Sequence, residues 1–207
     1  MIKNLLLSTI LAILCFSQKS QAQSDYLINI GIKDSLNSAV LGESREFFVD
    51  LPESYVEGSD TKYPVVYILD GGVMLNAVHT VHSYYSGGFM PEMILIGISN
   101  AENRTRDLTT SELSERRGQE YHQENGGAEK FTKFIQSELI PFVEDKYPVT
   151  NYRTLIGHSY GGLFTVNMLL KHTDAFENYL AIDPSMDWDE QKLLQESIEI
   201  LSQNSFI

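Results

Sequence analysis

The stretch Leu155-Ile156-Gly157-His158-Ser159-Tyr160-Gly161-Gly162 holds a Gly-x-Ser-x-Gly pattern between two apolar segments. The apolar run before the pattern predicts a short buried strand, and the apolar residues after it predict a helix. A serine at a tight turn between a strand and a helix is the context that a nucleophile elbow requires, because nearby glycines let the two elements approach closely. We therefore predict that Ser159 is a nucleophile held above the edge of a sheet.

The same turn predicts a site for negative charge. The backbone N–H of Tyr160 lies at the start of the predicted helix, where amides lack helical partners and the helix dipole favours an anion. This amide is therefore a predicted donor to the oxyanion that forms when a serine attacks a carbonyl group. The alternative is that the pattern occurs by chance in an ordinary turn, and the flanking strand and helix patterns argue against it.

Length and charge limit the class of protein. The chain has 207 residues and a formal net charge of −13 at neutral pH. This length suits one domain with a sizeable core. A net acidic chain is a poor binder of nucleic acid or of an anionic membrane surface, so we expect neither as a partner.

The first 22 residues predict a signal peptide. Lys3 supplies a positive charge, residues 5–16 are apolar, and Ser20 and Ala22 are small residues at the two positions that a signal peptidase reads. We expect cleavage after Ala22, export to the periplasm or outside the cell, and no stable membrane insertion after cleavage. A membrane anchor is the alternative, but the apolar run is too short to span a bilayer comfortably.

Cys15 is the only cysteine of the chain, and it lies inside the predicted signal peptide. A lipoprotein would need a small residue next to this cysteine, and the preceding Ala12-Ile13-Leu14 does not supply one. Cleavage would remove the cysteine, so we expect the mature domain, residues 23–207, to have neither a disulfide nor a thiol nucleophile.

Apolar runs alternate with helical patterns along the rest of the chain. Strands are predicted at 26–32, 46–51, 63–69, 93–98, 151–156 and 176–182, and helices from 128, at 163–171 and at 190–201. The long polar segment 100–127 predicts a structureless loop that is functional or mobile, and Pro141 predicts a kink or a break in the helix that starts at residue 128. This order predicts an α/β fold with a mostly parallel sheet and active groups at the C-terminal ends of its strands.

Together these blocks resemble the α/β-hydrolase superfamily. More narrowly, the chain is similar to the esterase family that includes esterase D, enterochelin-type siderophore esterases and mycolyltransferases. The matching blocks span most of residues 45–190, and they are 63–71, 96–100 with 104–109, 126–128, 131–147, 157–162 and 183–189. The resemblance implies an α/β-hydrolase fold, with helices on both faces of a mostly parallel central sheet.

The resemblance also implies the hydrolysis of carboxylic esters through a covalent acyl-enzyme. Ser159 would attack the ester carbonyl with the help of a histidine base, and the N–H of Tyr160 would be one oxyanion donor. A second backbone donor would come from the loop after the 63–69 strand, near Gly72 or Val73. The substrates would be small-molecule or saccharide esters, and this chemistry calls for no cofactor and no metal.

The histidines depart from the family pattern. Family members carry an acid and then a histidine after the strand that ends at Asp183, but here no histidine follows His172. His158 is a poor base, because adjacent side chains at an elbow point in different directions, and we expect it to pack or to contact substrate. We therefore expect a C-terminally incomplete hydrolase domain that lacks the last strands. The alternative is a catalytically inactive hydrolase-fold fragment, or a ligand-binding module that lacks the triad histidine.

Two further side chains are candidates for substrate contact. Arg106, like Arg104, could clamp a carboxylate or an electron-rich group, because the guanidinium fork suits planar anions. Alternatively, Arg106 pairs with a local acid such as Asp107 or Glu102. Trp188 could form part of an aromatic wall of the pocket, or it could complete the core.

Acidic and histidine residues elsewhere also carry alternatives. One of Asp183, Asp187 and Asp189 could be a displaced triad acid, but we favour a role at the rim of the pocket or as a cap of the last helix. A metal-dependent hydrolase has weak support, since His79-x-x-His82 lacks the glutamate and the spacing of a zinc-binding helix.

Overall fold

The computed structural model describes residues 30–203, and all but the first of these belong to one compact unit. The predicted signal peptide, residues 1–22, lies outside the described residues, as does most of the strand predicted at 26–32. The strands are β1 Ile32–Ser38, β2 Glu43–Asp50, β3 Tyr63–Ile68, β4 Ile94–Ile98, β5 Glu115–Arg116, β6 Gln119–Glu120, β7 Val149–His158 and β8 Asn178–Ile182. The helices are α1 Gly71–Tyr85, α2 Arg104–Leu108, α3 Ala128–Phe134, α4 Ile140–Lys146, α5 Tyr160–Lys171 and α6 Lys192–Gln203.

Six of the strands form one sheet in the order β1-β2-β4-β3-β7-β8. Strands β4, β3, β7 and β8 run parallel, and β2 and β1 add an antiparallel edge. The two parallel neighbours β3 and β7 are followed by α1 and α5, so both helices begin at the C-terminal edge of the sheet. Strands β5 and β6 form a separate ribbon.

The middle of the sheet is buried on both faces. All five residues of β4 are buried, and β3 is buried everywhere except at Pro64. Unbroken apolar runs fit such strands, because helices cover both faces of a parallel sheet. Phe131 of α3 and Phe164 of α5 belong to the core on one face, while Leu75 of α1 lies over Gly97 on the other. The predicted α/β-hydrolase fold is confirmed.

The helix that begins at Ala128 contains a π-helical segment, Ile135–Leu139, between α3 and α4. Backbone dihedral angles stay right-handed helical at Ile135 and at Ile140. Pro141 follows directly; a proline has no N–H and crowds the carbonyl four residues earlier, and a wider turn relieves that crowding. The predicted break is therefore a widened turn within a continuous helical segment.

The segment 100–127 is not the structureless loop that the sequence predicts. It contains α2 and the β5–β6 ribbon, and an ion pair attaches it to the sheet. Nη1 of Arg45 in β2 lies 2.6 Å from Oδ2 of Asp107 in α2, and both side chains are buried. Removing either partner would leave the other buried charge with one remaining ion pair, to Glu43 for Arg45 or to Arg106 for Asp107, so the pair holds α2 against the antiparallel edge.

The opposite edge of the sheet is more open. Asn178, Leu180 and Ile182 of the edge strand β8 are exposed. Helix α6 follows and attaches to the domain through Leu193, which packs with Leu163 and Trp188. Within residues 30–203, no helix combines the length and the apolar character needed to cross a bilayer.

Candidate active site

Ser159 has the strained backbone of a nucleophile elbow. Its φ and ψ are 58° and −114°, a combination that residues other than glycine rarely adopt. The residue joins β7 to α5, and its amide donates a 3.1 Å hydrogen bond to the carbonyl of Ile182 in β8. The predicted strand–turn–helix geometry is therefore present, with the half-buried serine at the C-terminal edge of the parallel strands.

Glycines around the serine allow the backbone to make this turn. A Cβ atom on Gly157 would lie 2.2 Å from the carbonyl oxygen of Gly161, and one on Gly162 would lie 2.8 Å from Cα of Pro184. A Cβ atom on Gly161 would meet Cβ of Leu69 at 3.4 Å, which is an ordinary contact. The requirement for glycine is therefore strict at positions 157 and 162 and mild at 161.

Two helix N-termini lie together beside the serine. The amide of Tyr160 is in the first turn of α5, and the amide of Gly72 is in the first turn of α1, where N–H groups lack helical acceptors. The amide of Val73 already donates a 2.9 Å hydrogen bond to the carbonyl of Asp70, so Gly72 is the better candidate for the second oxyanion donor. A Cβ atom on Gly161 would lie 3.7 Å from Oδ2 of Asp70, which shows how near the two turns are.

A cavity of about 220 Å³ opens at these helix starts. Its lining includes Gly72, Asp70, Arg104 and His158. Nε of Arg104 donates to both carboxylate oxygens of Asp70 at 3.0 Å, and Nη2 of Arg104 donates to the carbonyl of His158 at 3.4 Å. The cavity therefore presents an arginine whose charge is partly balanced, next to amides that favour an anion.

Aromatic and cationic side chains support the residue after the nucleophile. The guanidinium carbons of Arg104 and Arg116 lie 5.1 Å and 5.4 Å from the ring centroid of Tyr160. Nη1 of Arg116 donates to the Tyr160 hydroxyl, and burial raises the pKa of that hydroxyl above its ordinary value. The ring of Trp188 packs edge-on against Tyr160 with 5.4 Å between centroids. These contacts fix the start of α5, and with it the amide that faces the site.

The family model described as "Putative esterase" matches residues 38–198 of this chain. The chain belongs to this esterase family.

Two proteins similar to this chain are named as esterases, and a similar solved structure is titled a serine hydrolase. The chain is 34% identical to the ferri-bacillibactin esterase BesA of Bacillus subtilis, over 77% of this chain and 61% of the relative. It is 30% identical to the siderophore triacetylfusarinine C esterase of Aspergillus fumigatus, over 65% of this chain and 48% of the relative. The structure of an IroE-like serine hydrolase from Shewanella oneidensis superposes with a TM-score of 0.78 at 34% identity, covering 85% of this chain and 57% of that one. The chain thus spans about half to three-fifths of the length of these relatives.

In this esterase-family chain, the side chain of Ser159 meets another hydroxyl and not a base. Oγ of Ser159 lies 3.1 Å from Oγ of Ser185, and the amide of Ser185 donates to the carbonyl of Ser159 at 3.0 Å. The segment after β8 therefore forms part of the rim around the nucleophile. Either hydroxyl can donate to the other, so this contact does not itself remove the serine proton.

All five histidines lie in the described part of the chain, and none of them hydrogen-bonds to Ser159. His158 is exposed and lines the cavity, so the expectation that it packs is wrong. Nε2 of His172 lies 3.4 Å from a carboxylate oxygen of Glu129, at the far end of α5. The remaining three contact other groups: His79 contacts Asp50, His82 accepts from the amide of Met93, and His122 lies near Glu120.

The two arginines of α2 have different partners. Nη2 of Arg106 lies 2.7 Å from Oε1 of Glu43 and 2.8 Å from Oδ1 of Asp107. The pairing alternative for Arg106 is therefore what the structure shows, with Glu43 in place of Glu102. Arg104, two positions earlier, lines the cavity and is the better candidate for substrate contact. No local sequence signal separates the two, because the partners that distinguish them, Asp70 and Glu43, lie more than 30 residues away along the chain.

Trp188 is only 1% exposed, and its indole N–H donates to the carbonyl of Ser111 at 3.1 Å. It offers substrate almost no surface and instead supports Tyr160.

Asp187 begins the short 3₁₀ turn Trp188–Gln191, but its carboxylate accepts from Nη2 of Arg117 at 2.7 Å and caps no backbone amide. Asp187 thus holds the β5–β6 ribbon over the site.

Proposed function

We propose that this protein is a serine carboxylesterase that hydrolyses small-molecule esters through an acyl-enzyme on Ser159. The single observation that carries the proposal is the φ of 58° at Ser159 on a strand–turn–helix between two helix N-termini. Backbone strain of this kind persists only where the surrounding structure holds it, and it clusters at functional sites. Membership of the esterase family supports the same reaction class.

The reaction follows from the groups around the serine. Oγ of Ser159 attacks the ester carbonyl, its proton passes to a base, and the alcohol part of the ester leaves with a proton. The amides of Tyr160 and Gly72 stabilise the oxyanion, and loss of one such donor typically lowers the rate by about 10²–10³-fold. Water then attacks the acyl-enzyme and releases the acid.

We propose siderophore-type esters as the substrate class. The relatives named as esterases of bacillibactin and triacetylfusarinine C support this choice. The cavity supports it too, because Arg104 lines it beside the carbonyl of His158 and carries donors that suit a catecholate or hydroxamate oxygen. Saccharide esters are the competing class, and comparison of the two on the purified protein separates them.

A hydrolysis assay tests the reaction. We expect this chain to release p-nitrophenol from p-nitrophenyl acetate, and Ser159→Ala to lower that rate by at least about 10³-fold if a base is present. Ser137→Ala, on the exposed face before α4, is the matched control and should retain the full rate. Equal rates for Ser159→Ala and the unchanged protein would refute the esterase proposal for this chain.

A catalytically inactive ligand-binding module is the second candidate function. It is favoured by the contact between Ser159 and Ser185 and by the positions of the five histidines. This candidate predicts that a siderophore ester binds, with quenching of tryptophan fluorescence beside Tyr160, without being cleaved. Arg104→Gln should weaken that binding, because it removes the charge that lines the cavity.

We also propose that the protein is exported and acts in the periplasm or outside the cell. The support is the charged and apolar start of the chain and the small residues before position 23. Mass spectrometry of the mature N-terminus checks this proposal, and the expected first residue is Gln23. An N-terminus that still contains Lys3 would contradict it.

A further inference from the structure

A second serine in this chain has a histidine and an aspartate aligned behind it. Nδ1 of His79 lies 2.6 Å from Oδ2 of Asp50, and Nε2 of the same ring lies 3.2 Å from Oγ of Ser83. His79 and Ser83 are four residues apart on α1, so they lie on the same face of the helix. Asp50 is the last residue of β2.

In the neutral form of His79, its two contacts indicate which ring nitrogen carries the hydrogen. A carboxylate only accepts, so Nδ1 of His79 carries the hydrogen that it shares with Asp50. Nε2 is then the free acceptor, and it faces the hydroxyl of Ser83. This is the tautomer in which an imidazole can take a proton from a serine, with a carboxylate behind it that stabilises the imidazolium.

Burial supports the same arrangement. The side chain of Asp50 is 13% exposed and that of His79 is 29% exposed, so the contact between them is largely shielded from water. Ser83 is exposed. It opens into a cleft of about 360 Å³ whose lining also includes Pro52, His82 and Ser86. A small ester can therefore reach the hydroxyl while the groups behind it stay ordered.

This cluster is separate from the elbow. Strand β2 is antiparallel to β4, and Asp50 pairs with Leu95 near the beginning of β4. Ser159 instead follows the C-terminal end of β7. Strand β7 runs parallel to β3, which runs parallel to β4. The two serines thus lie toward opposite ends of the sheet.

We propose that Ser83 is a second, base-activated nucleophile that takes up one acyl group from an activated carboxylic ester. The Oγ–carbonyl carbon bond forms, the bond to the alcohol oxygen breaks, and the serine proton passes through Nε2 of His79 to the leaving alcohol. Ser83 lies in the last turn of α1, where free backbone carbonyls disfavour an oxyanion. Acylation is therefore stoichiometric and does not lead to rapid turnover.

The test uses the full chain carrying Ser159→Ala, so that its outcome is independent of the elbow. The protein is treated with p-nitrophenyl acetate, and acetylated peptides are mapped by mass spectrometry over time. We expect acetyl on Ser83 to form at least about tenfold faster than on Ser86, which shares the cleft but whose hydroxyl faces the carbonyl of Ser83 and not a histidine ring, since base assistance typically contributes about 10²-fold or more. His79→Gln and Asp50→Asn should each slow acetylation of Ser83, and Ser137→Ala, an exposed serine outside the cleft, should leave it unchanged.

Two outcomes would overturn the proposal. One is acetylation of Ser83 at the rate of Ser86; the other is an unchanged rate at Ser83 in a folded His79→Gln protein. The comparison of Ser83 with Ser86 needs no histidine variant, so it decides the matter even if His79→Gln fails to fold. Any serine-directed label used on the unmodified protein must be mapped to its peptide, because label on Ser83 does not report on Ser159.

Discussion

Strands β4 and β8 have five residues each and belong to the parallel part of the sheet, yet their surroundings differ. Every residue of β4 is buried between β2 and β3. In β8, which pairs only with β7, Leu180 is 50% exposed and Ile182 is 38% exposed. The half of the sheet around β4 is a buried core, and the half around β8 presents apolar side chains to solvent. We call these the β4 half and the β8 half.

The elbow lies between these two sides, and it takes support from both. The β4 half supports the first turns of α1 and α5 and the cavity, through Asp70 and Gly97. The β8 half supplies the rim around Ser159, through the carbonyl of Ile182 and the hydroxyl of Ser185. We infer that stability resides mainly in the β4 half and that the β8 half sets the environment of the serine hydroxyl.

The largest expected difference between the halves concerns their ion pairs. Asp107→Asn removes the buried carboxylate that pairs with Arg45, leaving Arg45 only the half-buried Glu43, and should lower the free energy of unfolding by about 3 kcal/mol. Asp187→Asn removes an exposed partner of Arg117 and should change it by less than about 1 kcal/mol. Urea denaturation of both variants measures the two values. Similar losses would contradict the contrast between the halves.

The next largest difference in stability is expected from truncating one leucine in β4 and one in β8. Leu95→Ala in β4 should cost about 2–5 kcal/mol, because it removes a fully buried side chain and leaves a cavity. Leu180→Ala in β8 removes a half-exposed side chain and should cost about 1 kcal/mol or less. Thermal unfolding of the two variants measures both losses of stability. A Leu180→Ala protein as unstable as Leu95→Ala would show that β8 is covered in solution.

Close glycine contacts distinguish the halves more finely. A Cβ atom on Gly71 would lie 2.2 Å from the carbonyl carbon of Gly97 in β4, and we expect Gly71→Ala to cost about 3 kcal/mol because that strand cannot shift. Gly162→Ala meets Cα of Pro184 at 2.8 Å, a longer contact that lies beyond the end of β8, and it should cost about 2 kcal/mol, less than Gly71→Ala. The denaturant midpoints of the two variants, compared at equal m-value, measure these two losses of stability. Equal losses would mean that the turn after β8 is as rigid as the core.

The smallest expected effect is on the pH dependence of stability. The hydrogen bond from Arg106 holds the pKa of Glu43 below its ordinary value of 4.5. Because the folded pKa is depressed, this stabilisation is present above about pH 4.5 and is lost as the pH falls through the folded value. Glu43→Gln should therefore flatten the acid side of the stability profile by under about 1 kcal/mol. An unchanged acid profile, measured by urea denaturation at several pH values, would rule out this contribution.

The sequence predicts the parts of the fold that depend on neighbouring residues. Strands β3 and β4 are unbroken apolar runs, and the glycines around Ser159 reveal the turn between β7 and α5. Helix α1 is not predicted, because it buries only Gly71, Leu75 and His82 and so has little apolar periodicity.

The candidate site is predictable only where its chemistry is local. Ser159 and the amide of Tyr160 follow from the elbow itself. The separate roles of Arg104 and Arg106 do not, since Asp70 and Glu43 reach them from distant strands. The exposure of His158 and the contact of Ser159 with Ser185 depend likewise on how β8 returns to the elbow.

The widened turn at Ile135–Leu139 has a consequence for the geometry of the core. Phe131, Ile135, Leu139 and Val143 are all fully buried at intervals of four residues. In a regular α-helix that spacing would rotate the last of them by roughly 120° from the first, because each step of four overshoots one turn by about 40°. The extra residue accommodated by the π segment offsets this rotation, so it acts as a phase correction. Deleting one residue there would place Phe131 and Val143 eleven positions apart, a rotation of about 20° in a regular α-helix, so both would still face the core.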